Sequence, residues 1–190
     1  MKPRRLVASI FVLISTLSLP AGATVLTFDD LNSNSIGIVP NSYAGLTFNN
    51  WWHIDTPPYS YPYTSAPTVI YNSEDPYTNA PEILFGQTVD VLSVYLADFS
   101  SVSVTLHGYL GATELFTTTV FPNSSFMTQY TLSFTGIDSF VMQTTDGEYA
   151  FMDNLEYKVT AVPEPETYAL FMAGLGLMGF IARRRKNSQA

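Results

Sequence analysis

Cysteine is absent from all 190 residues. Thiolate metal sites, cysteine nucleophiles and disulfide staples are therefore excluded, and an apolar core must hold any fold, alone or with a bound metal. Basic residues are nearly absent from the body of the chain. Of eight Lys and Arg, seven lie at the ends (Lys2, Arg4, Arg5, Arg183, Arg184, Arg185 and Lys186), leaving only Lys158 between. All 16 carboxylates except Glu164 and Glu166 lie in that body, so 14 acids face one lysine and the formal charge of 24–160 is −13. Phosphate contacts need Lys and Arg, so nucleic acid is not a partner. Such a surface suits solubility, divalent cations or neutral glycans. Helical periodicity is missing outside the apolar ends. Gly-x-Ser-x-Gly, His-Glu-x-x-His and phosphate-binding glycine loops are missing as well, and no enzymatic activity is expected.

The ends read as targeting segments. Lys2, Arg4 and Arg5 precede the apolar run Leu6–Leu19, and Ala21-Gly22-Ala23 offers small residues to signal peptidase. Residues 1–23 are thus a secretory signal peptide. The other end carries Pro163-Glu164-Pro165, where each proline fixes φ and lacks an N–H, giving an extended spacer. The apolar run Tyr168–Ala182 follows, interrupted by Gly174, Gly176 and Gly179. At ~1.5 Å per residue it spans roughly 23 Å, short of a ~30 Å hydrocarbon core. Arg183, Arg184, Arg185 and Lys186 then stop transfer and hold that end in the cytoplasm. A single, short transmembrane helix of this kind makes a temporary anchor.

This ordered tail, residues 161–186 with 187–190 trailing, resembles the PEP-CTERM sorting signal of exported proteins in Gram-negative bacteria. The resemblance implies recognition by an exosortase, passage through the inner membrane and delivery to the cell surface or extracellular matrix.

Between the ends, 24–160 is the size of one domain. Short β-branched and aromatic runs recur between turn residues, predicting strands at Val25–Phe28, Leu46–Asn50, Thr68–Tyr71, Glu82–Phe85 and Val89–Leu96. Further strands are expected at Val102–Leu106, Leu115–Phe121, Tyr130–Phe134, Phe140–Gln143 and Phe151–Thr160. Val102-Ser103-Val104-Thr105-Leu106 alternates cleanly, as a half-buried antiparallel strand should. The fold expected is all-β, a two-sheet antiparallel sandwich of jelly-roll type. Thr27-Phe28-Asp29-Asp30-Leu31, Tyr43-Ala44-Gly45-Leu46-Thr47-Phe48 and Phe151-Met152-Asp153-Asn154-Leu155 resemble stretches of secreted PEP-CTERM β-sandwich proteins, a class largely without assigned activity. The closing Asp153-Asn154 is also similar to a feature of jelly-roll carbohydrate-binding modules, which implies a structural calcium.

Two constellations could carry a site. Asp29 and Asp30 near the first strand and Asp153 and Asn154 on the last would be neighbours in a jelly roll, supplying oxygens to Ca2+; the alternative is ordinary turn and backbone satisfaction. Trp51, Trp52, Tyr59, Tyr61 and Tyr63, with Pro57 and Pro58 between them, form the aromatic-richest stretch. Aromatic faces stack on sugar rings; the alternative is core packing. Trp51 and Trp52, adjacent on a strand, would face opposite ways. The function expected is a non-catalytic exported protein with a structural or adhesive role in a polysaccharide biofilm matrix. A calcium-assisted carbohydrate-binding module is the other reading.

Overall fold

A computed structural model describes residues 22–31, 36–55, 61–72, 80–98, 103–145, 148–160 and 169–179. Eleven strands follow in chain order. They are β1 (Thr24–Leu26), β2 (Gly37–Ile38), β3 (Ser42–Tyr43), β4 (Leu46–Asn49), β5 (Trp51–Asp55) and β6 (Thr68–Asn72). Then come β7 (Glu82–Asp98), β8 (Val104–Leu110), β9 (Thr113–Val120), β10 (Thr128–Thr144) and β11 (Ala150–Val159). One helix, α1, covers 169–179.

All pairings between these strands are antiparallel. Hydrogen bonding runs without a break along β2-β5-β6-β11-β7-β10-β8-β9, with β1 beside β11 and β3-β4 joined to β7. The two layers of the sandwich arise because β7 and β10, each 17 residues long, pass through both. Glu82–Leu84 of β7 pair with β4 and with Ser139–Val141 of β10. From Val89 onward β7 pairs with β11 and with the earlier part of β10. The corner lies where the register slips, between Leu84 and Val89 on one strand and Phe134 and Ser139 on the other. Gly86 and Gly136 occupy it at φ 68° and 66°, a left-handed backbone that a side chain would strain. Strands that change layer through bulges and bends are the usual means of making such corners.

The inward faces meet in one apolar cluster. Phe48, Ile83, Leu106, Phe140 and Met142 come from one layer, and Trp51, Ile70, Val91, Leu96, Met152 and Leu155 from the other. Phe28, fully buried, lies among them. Thr24 pairs with Tyr157, so the domain's first and last strands emerge side by side.

The structure agrees with the all-β expectation and corrects its details. The four runs expected at 82–85, 89–96, 130–134 and 140–143 are two strands, because Gly86 and Gly136 bend the ladder without ending it. Trp51–Asp55, for which no separate strand is delimited in the sequence beyond Leu46–Asn50, is a strand between β2 and β6.

Candidate functional site

Trp51 and Trp52 divide, as period-two geometry requires. The Trp51 indole is 1 % exposed in the main core, and its Nε1 donates to the Glu82 carbonyl at 3.0 Å. Trp52 lies on the opposite side of β5, in a second apolar cluster with Ile54, Val69, Tyr71, Ala97 and Phe151. Tyr61, Met127 and Tyr149 pack over it. The rings form a continuous group: Trp52 to Tyr71 is 6.5 Å between centroids, Tyr71 to Tyr149 is 5.6 Å edge-on, and Tyr61 to Phe151 is 4.9 Å. Tyr71 and Phe151 are buried, Trp52, Tyr61 and Tyr149 are half-buried, and Tyr63 is 49 % exposed. Tyr59 lies outside the described residues. Tyr71, Tyr149 and Phe151 belong to this group but not to the sequence stretch that pointed to it. Strand pairing brings in Tyr71 and Phe151, through Trp52↔Tyr71 and Phe151↔Tyr71, and Tyr149, just before β11, joins edge-on to Tyr71.

Asp153 organises the segment that carries Tyr61 and Tyr63. Its carboxylate is fully buried and accepts the amide N–H of Thr64, Ser65 and Asn154, each at 2.8 Å. The Ser65 hydroxyl lies 3.2 Å from Asp153 Oδ1, 3.0 Å from Asn154 Oδ1 and 3.4 Å from the Thr27 carbonyl. Burial pushes the Asp153 pKa up; the amide donors act in the other direction. Asn154 takes φ 45°, which asparagine tolerates better than most residues.

The other two residues of the expected calcium set are placed differently. Asp30 accepts a hydrogen bond from the Tyr43 hydroxyl. Burial, with Asp30 next in effect, keeps Tyr43 protonated far above the phenolic range. Asp29 Oδ1 is buried and meets no donor among the described residues. Among those residues no three His, Cys, Asp or Glu side chains come together to hold a metal ion. The Asp153 oxygens, engaged by the N–H groups of Thr64, Ser65 and Asn154, anchor the loop.

His53 faces Gly37 across the β2–β5 pairing and is 7 % exposed. Burial lowers its pKa below 6.5, opposed by the Asp55 charge. Asp55 in turn accepts from Thr68 Oγ1 at 2.9 Å. A depressed imidazole pKa gives stability that is present above the unfolded value of 6.5 and lost as pH falls through the folded one. Wild-type stability should thus decline on acidification below about pH 6.5, and His53→Gln should remove that component. Urea titrations of both proteins across this range measure the difference. Parallel curves would show that His53 is not the group responsible.

Pro163, Glu164, Pro165 and the Arg183, Arg184, Arg185, Lys186 cluster lie outside the described residues, as does nearly all of the expected signal peptide. Helix α1 covers 11 residues between them, rising ~16 Å. Among the described residues no helix is long and apolar enough to cross a membrane.

Residues 161–186, beginning directly after the described ectodomain and enclosing α1, match the PEP-CTERM protein-sorting motif. The chain carries a PEP-CTERM tail. That tail marks an exported, exosortase-processed protein with a C-terminal membrane-anchoring region. No curated protein matches the chain. Among solved structures, the PEP-CTERM chain is similar to a family 29 carbohydrate-binding module, at TM-score 0.47 and 14 % identity over 76 % of this chain and 98 % of the module. It is similar to the CBM22-1 xylan-binding domain from Paenibacillus barcinonensis, at 0.46 and 7 % over 76 % and 98 %. A cleaved adhesin domain of Lys-gingipain from Porphyromonas gingivalis gives 0.45 and 13 % over 74 % and 99 %. Likeness of this size assigns neither ligand nor chemistry.

Proposed function

We propose that this chain is a non-catalytic protein of the cell surface or extracellular polysaccharide matrix, with a structural or adhesive role. On this reading signal peptidase removes 1–23, the tail holds the protein transiently in the inner membrane of a Gram-negative cell, and an exosortase then releases it. The PEP-CTERM match at 161–186 carries the proposal. The ectodomain's single lysine and net acidity support a matrix of neutral sugars over nucleic acid.

Intact mass of the surface-released protein tests the processing. The mature species should lack both Met1–Ala23 and Tyr168–Ala182. Replacing Pro163, Glu164 and Pro165 together by alanine should leave the protein in the inner membrane. Normal release of that variant, or a released species retaining Arg183–Lys186, would overturn the sorting reading.

A second reading, a dedicated carbohydrate-binding module, is favoured by the aromatic group around Trp52. Half-buried rings beside the exposed Tyr63 offer apolar faces of the kind sugars stack on. A calcium at Asp153 would assist by holding the loop; Asp153→Asn separates the two roles. A calcium ligand loses a stability increment seen only with the metal, whereas a loop anchor loses stability with or without it. The hydrogen bonds around Asp153 favour the anchor.

A further inference from the structure

The face of β4-β7-β10-β8-β9 turned away from the core is mostly polar, with Val141 and Leu84 the apolar side chains among its polar ones. Cross-strand register puts Thr117, His107, Val141, Glu82 and Asn49 in one row across five strands. At ~4.8 Å between strands the row is roughly 19 Å long. Two residues along each strand, a second row carries Glu114, Tyr109, the buried Ser139, the exposed Leu84 and Thr47. On the other side Thr119, Thr105 and Gln143 form a third. The residues between them on β8 and β10, such as Leu106 and Met142, are fully buried in the core, which fixes the orientation of the face.

These side chains hold one another in place. His107 lies 3.3 Å through Nδ1 from Glu114 Oε1 and 3.2 Å through Nε2 from Gln143 Oε1. Its ring stacks on Tyr109, whose hydroxyl donates to Glu114 Oε2 at 3.4 Å. Glu82 accepts Ser139 Oγ at 2.7 Å and Asn49 Nδ2 at 3.1 Å. Among the described residues, neither apolar cluster includes any of the row residues.

Building on the matrix reading above, we propose that this face is a binding site for an uncharged polysaccharide laid across the strands over His107 and Tyr109. Planar amide, carboxylate and imidazole groups, fixed in advance by their mutual hydrogen bonds, suit the paired hydroxyls of a sugar and lose little freedom on binding. The His107–Tyr109 stack supplies an aromatic surface in the same place. Burial, and then the Glu114 charge, raise the Tyr109 pKa, so its hydroxyl remains a donor. Two glutamates and no cation stand among the row residues, and the ectodomain's charge is −13. An acidic polysaccharide is repelled, and a neutral one is not.

Affinity electrophoresis of the full chain in gels containing a soluble uncharged β-glucan, or polygalacturonate, tests the site. The wild type should be retarded by the glucan and not by polygalacturonate. His107→Ala combined with Gln143→Ala should lower the apparent affinity at least tenfold while leaving the melting temperature nearly unchanged. Trp52→Ala should be retarded like wild type. If Trp52→Ala abolishes retention and the β8–β10 variant does not, glycan binding stands and this face is not its site. If the wild type is not retarded by the glucan, or is retarded equally by polygalacturonate, the proposal falls, while the sorting reading, decided by intact mass, is untouched.

Discussion

Trp51→Ala is expected to lower the unfolding free energy by about 3–5 kcal/mol, a large share of the ~5–15 kcal/mol that holds a domain together. The indole is almost wholly enclosed where the two layers meet. Its Nε1 also satisfies the Glu82 carbonyl on β7, so truncation leaves a cavity and an orphaned acceptor at once. Trp51→Phe should recover part of the loss, since it keeps a six-membered ring but gives up the pyrrole half of the indole and that hydrogen bond. Trp52→Ala, next along the same strand but half-buried, should cost less than Trp51→Ala. Urea unfolding of the three variants measures the order. Equal losses at both positions would contradict the division of the pair between the faces of β5.

The second large effect is expected at Asp153. Asp153→Ala removes the acceptor for the amides of Thr64, Ser65 and Asn154. An unsatisfied buried donor costs about 1–3 kcal/mol, and water can reach part of this loop, so a loss of about 2–4 kcal/mol is expected. Hydrogen exchange gives the more specific readout: the Thr64 and Ser65 amides should lose protection well before those of β7. Unchanged protection there, with or without calcium, would mean that Asp153 does not anchor the loop.

The parts of this fold legible in the sequence are those in which one strand has one wet face. Val104–Leu106, the part of β8 within the expected Val102–Leu106, alternates buried and part-exposed residues, and that pattern was readable without neighbours; the extension to Leu110 was not. Thr68–Tyr71 was readable for another reason: four consecutive buried residues, β-branched or aromatic, bounded by turn signals. Trp51–Asp55 is buried on both faces except at Trp52, so it showed no alternation, and Pro57-Pro58 just beyond it imitated a loop. The two-residue strands β2 and β3 are too short to have a period. Gly86 and Gly136 look like strand ends because glycine usually marks a turn; only the ladder on either side shows that the chain continues through them.

The sites were less legible than the strands. The aromatic stretch contained Trp52 and Tyr61, which pack on one cluster, yet Tyr71 and Phe151 join them only through pairing across the sheet. The polar face is further from sequence reach. Asn49, Glu82, His107, Thr117 and Val141 share a row only once the registers of four separate strand pairings are known. Each residue alone reads as an ordinary solvent-facing position.

The strand from which the sorting tail departs has a mechanical consequence. β11 is hydrogen-bonded along both edges, to β7 on one side and to β6 and β1 on the other. Just past it, Thr160 is fastened through its N–H to the Thr88 carbonyl and through its hydroxyl to Asp90. While the tail is held in a membrane and the ectodomain is held by its surroundings, tension enters the domain lengthwise along β11. Its bonds to both neighbours must then slip together, in shear, because no free edge is available to peel them apart one at a time. A tail leaving from β9, bonded on one side to β8, would unzip under the same pull. The chain is thus tethered by a strand bonded on both edges rather than by an edge strand.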